Sequence, residues 1–211
     1  MPGLIRGLEA ERIRANLERV RERVGPDVEV LAATKYVPLE EMGALAEAGI
    51  ELVGENRLQD LEAKHDRYGD RFTWDFIGNL QSRKVKRILP LVRLIHSVAT
   101  DSALEQLGRH GDKTTEVLVE VNVAGEESKA GVTPEELGPF LERCPVRVVG
   151  LMTMPPFSTD PEASRPIFAR LAELAAEHGL SRLSMGTSQD WEVAVEEGST
   201  IVRLGTTLYA P

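Results

Sequence analysis

Apolar positions along the chain follow two alternating periods. Leu8, Ile13, Leu17, Val20 and Val24 recur at roughly helical spacing and predict a helix over Leu4–Val24. The compact run VEVLAAT (Val28–Thr34) then predicts a strand, and PLEEMGALAEAG a helix. The exchange repeats. IELVG precedes a helix from about Asn56 to Tyr68, and FTWDFIG precedes one around Ser82–Leu89. VRLIHSV precedes DSALEQLGRHG, with Asp101 as the expected N-cap. TEVLVEVNVA precedes TPEELGPFLERC, where Thr133 caps and Pro134 occupies the first turn. VRVVGLMTM precedes Pro161–His178, stopped by Gly179. LSRLSMG precedes SQDWEVAVEEG, and STIVRLGTT closes the series as an eighth strand.

Eight strand-then-helix steps in 211 residues imply parallel strands joined by right-handed crossovers. The expected fold is one domain over residues 1–211, a (β/α)8 TIM-like barrel with an extra N-terminal helix. An open doubly wound sheet is the alternative. The barrel is preferred because no single Gly-rich first turn dominates and the second and seventh strands read as short.

Composition narrows the class. With 42% hydrophobic and 28% charged residues the chain is globular. A net charge of −9 disfavours nucleic acid and anionic membrane as partners. No apolar stretch is long enough for a membrane span, and the N-terminus has no signal-peptide core. A single cysteine, Cys144, cannot form an internal disulfide, which fits a reducing cytoplasm; a small buried residue is its expected role.

In a barrel of this kind chemistry gathers at the C-terminal strand ends, with phosphate commonly bound after strands seven and eight. SMGTS (184–188) and LGTT (204–207) occupy those places and offer glycine, hydroxyls and backbone N–H groups. Against this, Asp190 and Glu192 would compete for the same positive helix end. Strand one neighbours strand eight in a closed barrel, so Lys35, ending LAATK, would lie beside the phosphate turns. The chain has only six lysines against nineteen arginines. Lysine, unlike arginine, can lose its proton and form an imine. A solvated loop lysine is the plain alternative. An imine lysine beside a phosphate site fits a pyridoxal 5′-phosphate aldimine or a Schiff-base aldolase acting on phosphorylated sugars.

Arg203 lies in TIVRLG, where alternation sets it opposite Val202 and Leu204. It either makes an internal salt bridge, with Glu120 the nearest expectation, or faces a cofactor's pyridine nitrogen. Facing that nitrogen, it would keep the ring unprotonated and disfavour transaminase-type chemistry. Asn56 either caps a helix or meets a ligand, and Gly78 and Asn79 read as turn residues. His96 is the one histidine placed on the functional face, and Met152 and Met154 read as core or pocket lining. No metal-ligand spacing occurs.

LAATKYVP, GENRLQD, WDFIGNLQSRK, NVAGEESKAGV, GLMTMP and LSMGTSQDWEVAVEEGSTIVRLG, in order along nearly the whole chain, resemble the pyridoxal phosphate homeostasis protein family, whose barrel is like the alanine racemase N-terminal domain. The resemblance implies Lys35 as the aldimine lysine and Arg203 facing the pyridine nitrogen. It implies Ser184, Gly186, Ser188, Gly205 and Thr206 around the phosphate, and Asn56, His96 and Met152 lining the ring. Asp75, where that family often has histidine, Arg57, where an aromatic is common, and Thr187, where methionine is usual, depart from the pattern.

The implied function is non-catalytic binding of pyridoxal 5′-phosphate in vitamin B6 homeostasis, without an established turnover reaction. A weak amino-acid racemase is the alternative and a sugar-phosphate aldolase a third. Racemisation needs a second acid/base group, which alanine racemases take from a further domain and a partner chain; the chain read to Pro211 offers neither. Expected partners are the cofactor, free amino acids and cofactor-accepting apo-enzymes, with the protein a cytoplasmic monomer.

Overall fold

The computed structural model describes residues 3–126 and 130–210. The centre of NVAGEESKAGV, including Lys129, lies outside the described residues. Eight parallel strands close in sequence order: β1 (Glu29–Ala33), β2 (Leu52–Glu55), β3 (Thr73–Phe76), β4 (Leu94–Val98), β5 (Glu116–Glu120), β6 (Arg147–Met152), β7 (Arg182–Thr187) and β8 (Ile201–Leu204). β8 pairs back to β1 in register from Glu29–Ile201 to Ala32–Leu204. That closure excludes the open-sheet alternative. β7, expected to be short, is among the longest strands at six residues.

Strand alternation divides the apolar residues between two cores. Leu31, Leu52, Leu94, Leu118, Met152 and Ile201 form a small cluster inside the barrel. Their neighbours Ala32, Val53, Ile95, Val119 and Val202 join the larger core between strands and helices. The helices are α1 (Ala10–Val24), α2 (Met42–Glu47), α3 (Leu58–Tyr68), α4 (Val85–Ile88), α5 (Asp101–His110), α6 (Pro134–Glu142), α7 (Arg165–Glu177), α8 (Trp191–Glu196) and α9 (Thr206–Tyr209). None is long and apolar enough to cross a membrane.

Several ends differ from expectation. α1 starts at Ala10, not Leu4, because Gly7 is left-handed at φ 69° and Glu9 is extended. The segment before it is tied to the β1–α2 loop: Ile5 N–H donates to Tyr36 O at 2.8 Å, and Gly7 and Leu8 N–H donate to the Glu41 carboxylate. Thr100, not Asp101, caps α5 by accepting from Ala103 N–H. Thr133 caps α6 as expected, in a capping box with Glu136. Pro161–Ser164 form a 3-10 turn before α7, and Gly179 follows that helix at φ 65°. β8 ends before Gly205, so Thr206 and Thr207 are helical rather than strand.

Candidate functional site

The candidate site occupies the open, C-terminal end of the barrel, where β7, β8 and β1 are neighbours. β1 ends at Ala33, and the chain turns at Lys35 and Tyr36. The strand pattern therefore does not continue, and Lys35 Nζ lies 5.2 Å from the centroid of the Tyr36 ring. Lys35 is exposed, but the turn beneath it is held by buried groups. Thr34 Oγ1 donates to Glu55 Oε1 at 2.6 Å, and Lys64 Nζ donates to Thr34 O at 2.8 Å while pairing with Glu55. Tyr209 Oη donates to Ala33 O at 3.3 Å. Burial, reinforced by the Glu55 charge, raises the Tyr209 phenol well above its usual range.

Lys64 and Tyr209 carried no assignment from sequence, although Lys64 gave a signal. Leu58, Leu61 and Lys64 form the buried stripe of α3, and a lysine on such a stripe needs a buried acid.

The turns after β7 and β8 meet as expected. Ser188 Oγ accepts from Gly205 N–H at 3.1 Å and from Thr207 N–H at 3.2 Å. A Cβ on Gly205 would find only Ala33 O, 3.9 Å away, so the space beside this backbone is open. Thr206 is exposed at the start of α9. Gly186 has a different reason to be glycine: at φ 90° a Cβ there would lie 2.6 Å from Ala194 Cβ on α8. Of the two acids expected to compete for this helix end, Asp190 does take an amide of the turn, and Glu192 is engaged elsewhere. Asp190 Oδ1 accepts from Thr187 N–H at 2.8 Å and its Oδ2 from Ser164 at 2.8 Å, while Glu192 pairs with Arg23 on α1.

Arg203 points into the barrel but makes no ion pair with Glu120 among the described residues. Its Nη1 donates to Ser184 O and Ser184 Oγ, both at 2.6 Å. Its Nη2 donates to Thr153 O at 3.0 Å and approaches Met154 Sδ at 2.9 Å. A guanidinium has five N–H donors, so Nε–H is left as the one without a partner among the described residues. Burial lowers the Arg203 pKa to about 10, against the charges of Glu120 and Asp190, so it stays protonated at neutral pH. Burial raises the Glu120 carboxyl, and the Arg203 charge only partly offsets this.

Ser184 is fully buried and belongs to the barrel interior rather than to the Ser188–Gly205 turn pair. Its Oγ lies 2.8 Å from His96 Nδ1, and His96 Nε2 lies 3.1 Å from Asp75 Oδ2. Arg93 binds Asp75 through Nε at 3.0 Å and Nη2 at 2.7 Å. Burial lowers the His96 pKa despite the Asp75 carboxylate. Burial would raise Asp75, but its bonds and charge interactions with His96 and Arg93 prevail and hold it below the usual range.

Asn56 Oδ1 is buried without a hydrogen-bond partner. Asn56 does not cap α3; Arg57 stands at that position without a side-chain cap. Gly78 packs on the Asn56 backbone, where a Cβ would lie 2.1 Å from Asn56 O. Met152 sits in the inner apolar cluster, and it is Met154 that reaches Arg203. Among the described residues no group of histidine, cysteine and acid could hold a metal. Cys144 is half-buried, and burial raises its thiol pKa.

The donor set therefore fits a ligand with three features: an anionic group for the 188/205–207 turns, an acceptor for Arg203 Nε–H, and a carbon that reacts with an amine. Gly205 follows β8 and Asn56 follows β2, the two strands that flank β1. The fold that carries these features is a closed (β/α)8 barrel. The sequence matches the family described as alanine racemase, N-terminal domain, over residues 8–211, and the chain belongs to that family.

Among its relatives is the pyridoxal phosphate homeostasis protein of Aquifex aeolicus, 42% identical over 94% of this chain and 96% of that protein. The protein of the same name from Pseudomonas aeruginosa is 35% identical over 94% and 92%. PipY from Synechococcus elongatus, 31% identical, superposes with a TM-score of 0.84 without PLP and 0.82 with PLP bound, over 94% of this chain and all of PipY. Lysine/ornithine decarboxylase from Vibrio vulnificus, at 16% identity and a TM-score of 0.71, shares the fold over 62% of its length.

Proposed function

We propose that this protein binds pyridoxal 5′-phosphate at the open end of the barrel and holds it through Lys35, acting in intracellular vitamin B6 homeostasis. The observation that carries this reading is the succession along neighbouring strands of the Ser188–Gly205–Thr207 turn, the Arg203 Nε–H donor and Lys35. When bound, the cofactor supplies an aldehyde carbon that reacts with a primary amine. Lys35 provides the amine from a turn fixed by Lys64, Glu55 and Tyr209. The backbone N–H groups of Gly205 and Thr207, now on Ser188 Oγ, would hold the phosphate. Arg203, a permanent donor, would hold the ring through Nε–H and would keep a nitrogen facing it unprotonated. Asn56 Oδ1, Thr206 and Met154 border the same mouth, while His96, Met152 and Ser184 act from beneath it.

Purified protein given the cofactor should absorb in the near-visible. Borohydride reduction should attach the cofactor to the Lys35 peptide, and Lys35→Ala should abolish that attachment. Protein that stays colourless, or label on another lysine, overturns the assignment.

A weak amino-acid racemase is the second reading, favoured by Glu120. This carboxyl ends β5, across the closed barrel from β1, has no partner among the described residues, and is shifted towards holding a proton. Deuterium incorporation at Cα of free amino acids at enzyme-like rates, lost in Glu120→Gln, would support it. Tyr209 is no substitute, since its hydroxyl is buried against Ala33 O.

A further inference from the structure

We propose that Asp75 on β3 and Arg93, just before β4, are positioning residues for Arg203 on β8, acting through His96 and Ser184. The inference rests on the reading of Arg203 as the donor to a ring nitrogen and concerns how that donor is aimed.

The polar side chains form one continuous line through the barrel. Glu29, the first residue of β1, accepts from Arg93 Nη1 at 2.5 Å and pairs with Arg182. Arg93 grips both oxygens of Asp75 on β3; Asp75 meets His96 on β4; His96 meets Ser184 on β7; and Ser184 meets Arg203 on β8. Asp75, His96 and Ser184 are all fully buried or nearly so.

Donor and acceptor rules leave one arrangement of hydrogens. Arg93 can only donate, so the ionised Asp75 only accepts. His96 Nε2 must then carry the hydrogen that faces Asp75. With the imidazole neutral, Nδ1 is a lone pair and accepts the Ser184 hydroxyl hydrogen. That leaves the lone pairs of Ser184 Oγ facing Arg203 Nη1, which can only donate. Each bond therefore sets the next, and none is left unmade. If His96 carried its hydrogen on Nδ1, the Ser184 hydroxyl would receive two donors. Its own hydrogen would then need a new acceptor in a buried site, at the cost of desolvation.

The line ends on the guanidinium group whose orientation matters. With Nη1 on Ser184 and Nη2 on Thr153 O, Arg203 cannot rotate without breaking buried bonds, and Nε–H becomes a fixed donor. Such pre-organisation of a ligand-facing group by the groups behind it is how sites gain affinity.

The test uses the apo-protein and the cofactor-loaded protein in parallel. The 15N shifts of the His96 ring distinguish the two tautomers without cofactor. In the unaltered protein we expect Nε2–H. Asp75→Asn should move a substantial share of His96 to Nδ1–H and weaken cofactor affinity by roughly tenfold, about the worth of one hydrogen bond to a charged group. Ser184→Ala should weaken affinity similarly while His96 stays Nε2–H, which keeps the proposal testable if Asp75→Asn fails to fold. Arg182→Gln, which removes one partner of Glu29 but leaves both Arg93–Asp75 bonds in place, should change neither the tautomer nor the affinity. An Nδ1–H or doubly protonated His96 in the unaltered protein, or Ser184→Ala binding within twofold of it, overturns the proposal. Absence of any cofactor binding defeats the cofactor reading instead, and the apo-protein tautomers still decide whether Asp75 orders the line.

Discussion

Lys64 Nζ lies 2.8 Å from the carbonyl oxygen of Thr34, the residue immediately before Lys35. The same ammonium pairs with Glu55, and both side chains are buried. A lysine that carries no ligand thus anchors the turn of the one proposed to carry it. Lys64→Met would strand the Glu55 charge in the interior and should cost about 3–5 kcal/mol, as breaking one side of a buried pair does. Chemical denaturation measures this. The double variant Lys64→Met/Glu55→Gln should recover part of the loss, since no charge is then unpaired. A single variant as stable as the parent would mean that the pair does not hold the turn.

Gly78 and Asn56 offer a steric test of the other wall. Gly78→Ala places a methyl group 2.1 Å from Asn56 O, and the neighbour it meets is backbone that cannot swing aside. Overpacking of this kind costs about 1–3 kcal/mol, and the displaced Asn56 should lower cofactor affinity as well. Thermal unfolding and a binding titration on the same sample report both. A variant unchanged in each would show that this contact relaxes freely.

The eight-step alternation made the barrel legible, because a period of two and a period near 3.6 cannot be confused over whole elements. The placement of Lys35, Arg203 and the turns after β7 and β8 at one end of the barrel was legible because β1, β7 and β8 are neighbours once the sheet closes. Ser184, which the resemblance set with the phosphate residues, lies inside the barrel because β7 runs on to Thr187. Of the two alternatives for Arg203, the Glu120 salt bridge is not seen among the described residues, because carbonyls and a hydroxyl satisfy the guanidinium as well as a carboxylate can. Lys64 and Arg93 were passed over because each becomes meaningful only beside a residue from another strand. The early start expected for α1 failed because helical spacing does not register a left-handed glycine.

His96 and Asp75 give the protein a signed pH dependence. Burial holds His96 below 6.5, so the unfolded chain binds a proton there that the folded chain refuses. The stability from neutral His96 is whole above about pH 6.5 and is lost as pH falls through that value towards the folded pKa. Asp75, held below 3.8, adds a further loss below about pH 4. Glu120, raised above 4.5, works in the opposite sense, since its folded form takes up a proton first. Urea unfolding between pH 8 and pH 5 should show stability falling on the acid side with a slope approaching 1.4 kcal/mol per pH unit, the limit for one proton. His96→Gln should flatten that slope between pH 6.5 and 5 even though it lowers stability overall. An unchanged slope would assign the loss to other groups.

The segment before α1 provides the last test, because it touches the proposed site only through the backbone. Glu41 accepts from Gly7 N–H at 2.9 Å and Leu8 N–H at 3.0 Å, Arg6 pairs with Glu40, and Ile5 N–H donates to Tyr36 O next to Lys35. The two Glu41 bonds are exposed or part-buried, where water competes, so Glu41→Ala should cost only about 1 kcal/mol of global stability. Its local effect should be larger. With both acceptor oxygens gone, the Gly7 and Leu8 amides should exchange hydrogen roughly tenfold faster or more, and protease should cut before Ala10 sooner. The amides of β1 and β8, paired within the barrel, should keep their protection. If the strap steadies the Lys35 turn, the Ile5 amide will exchange faster too, although its own acceptor, Tyr36 O, is untouched. Ile5 protection at the parent level would show that residues 3–9 hold the turn independently of Glu41.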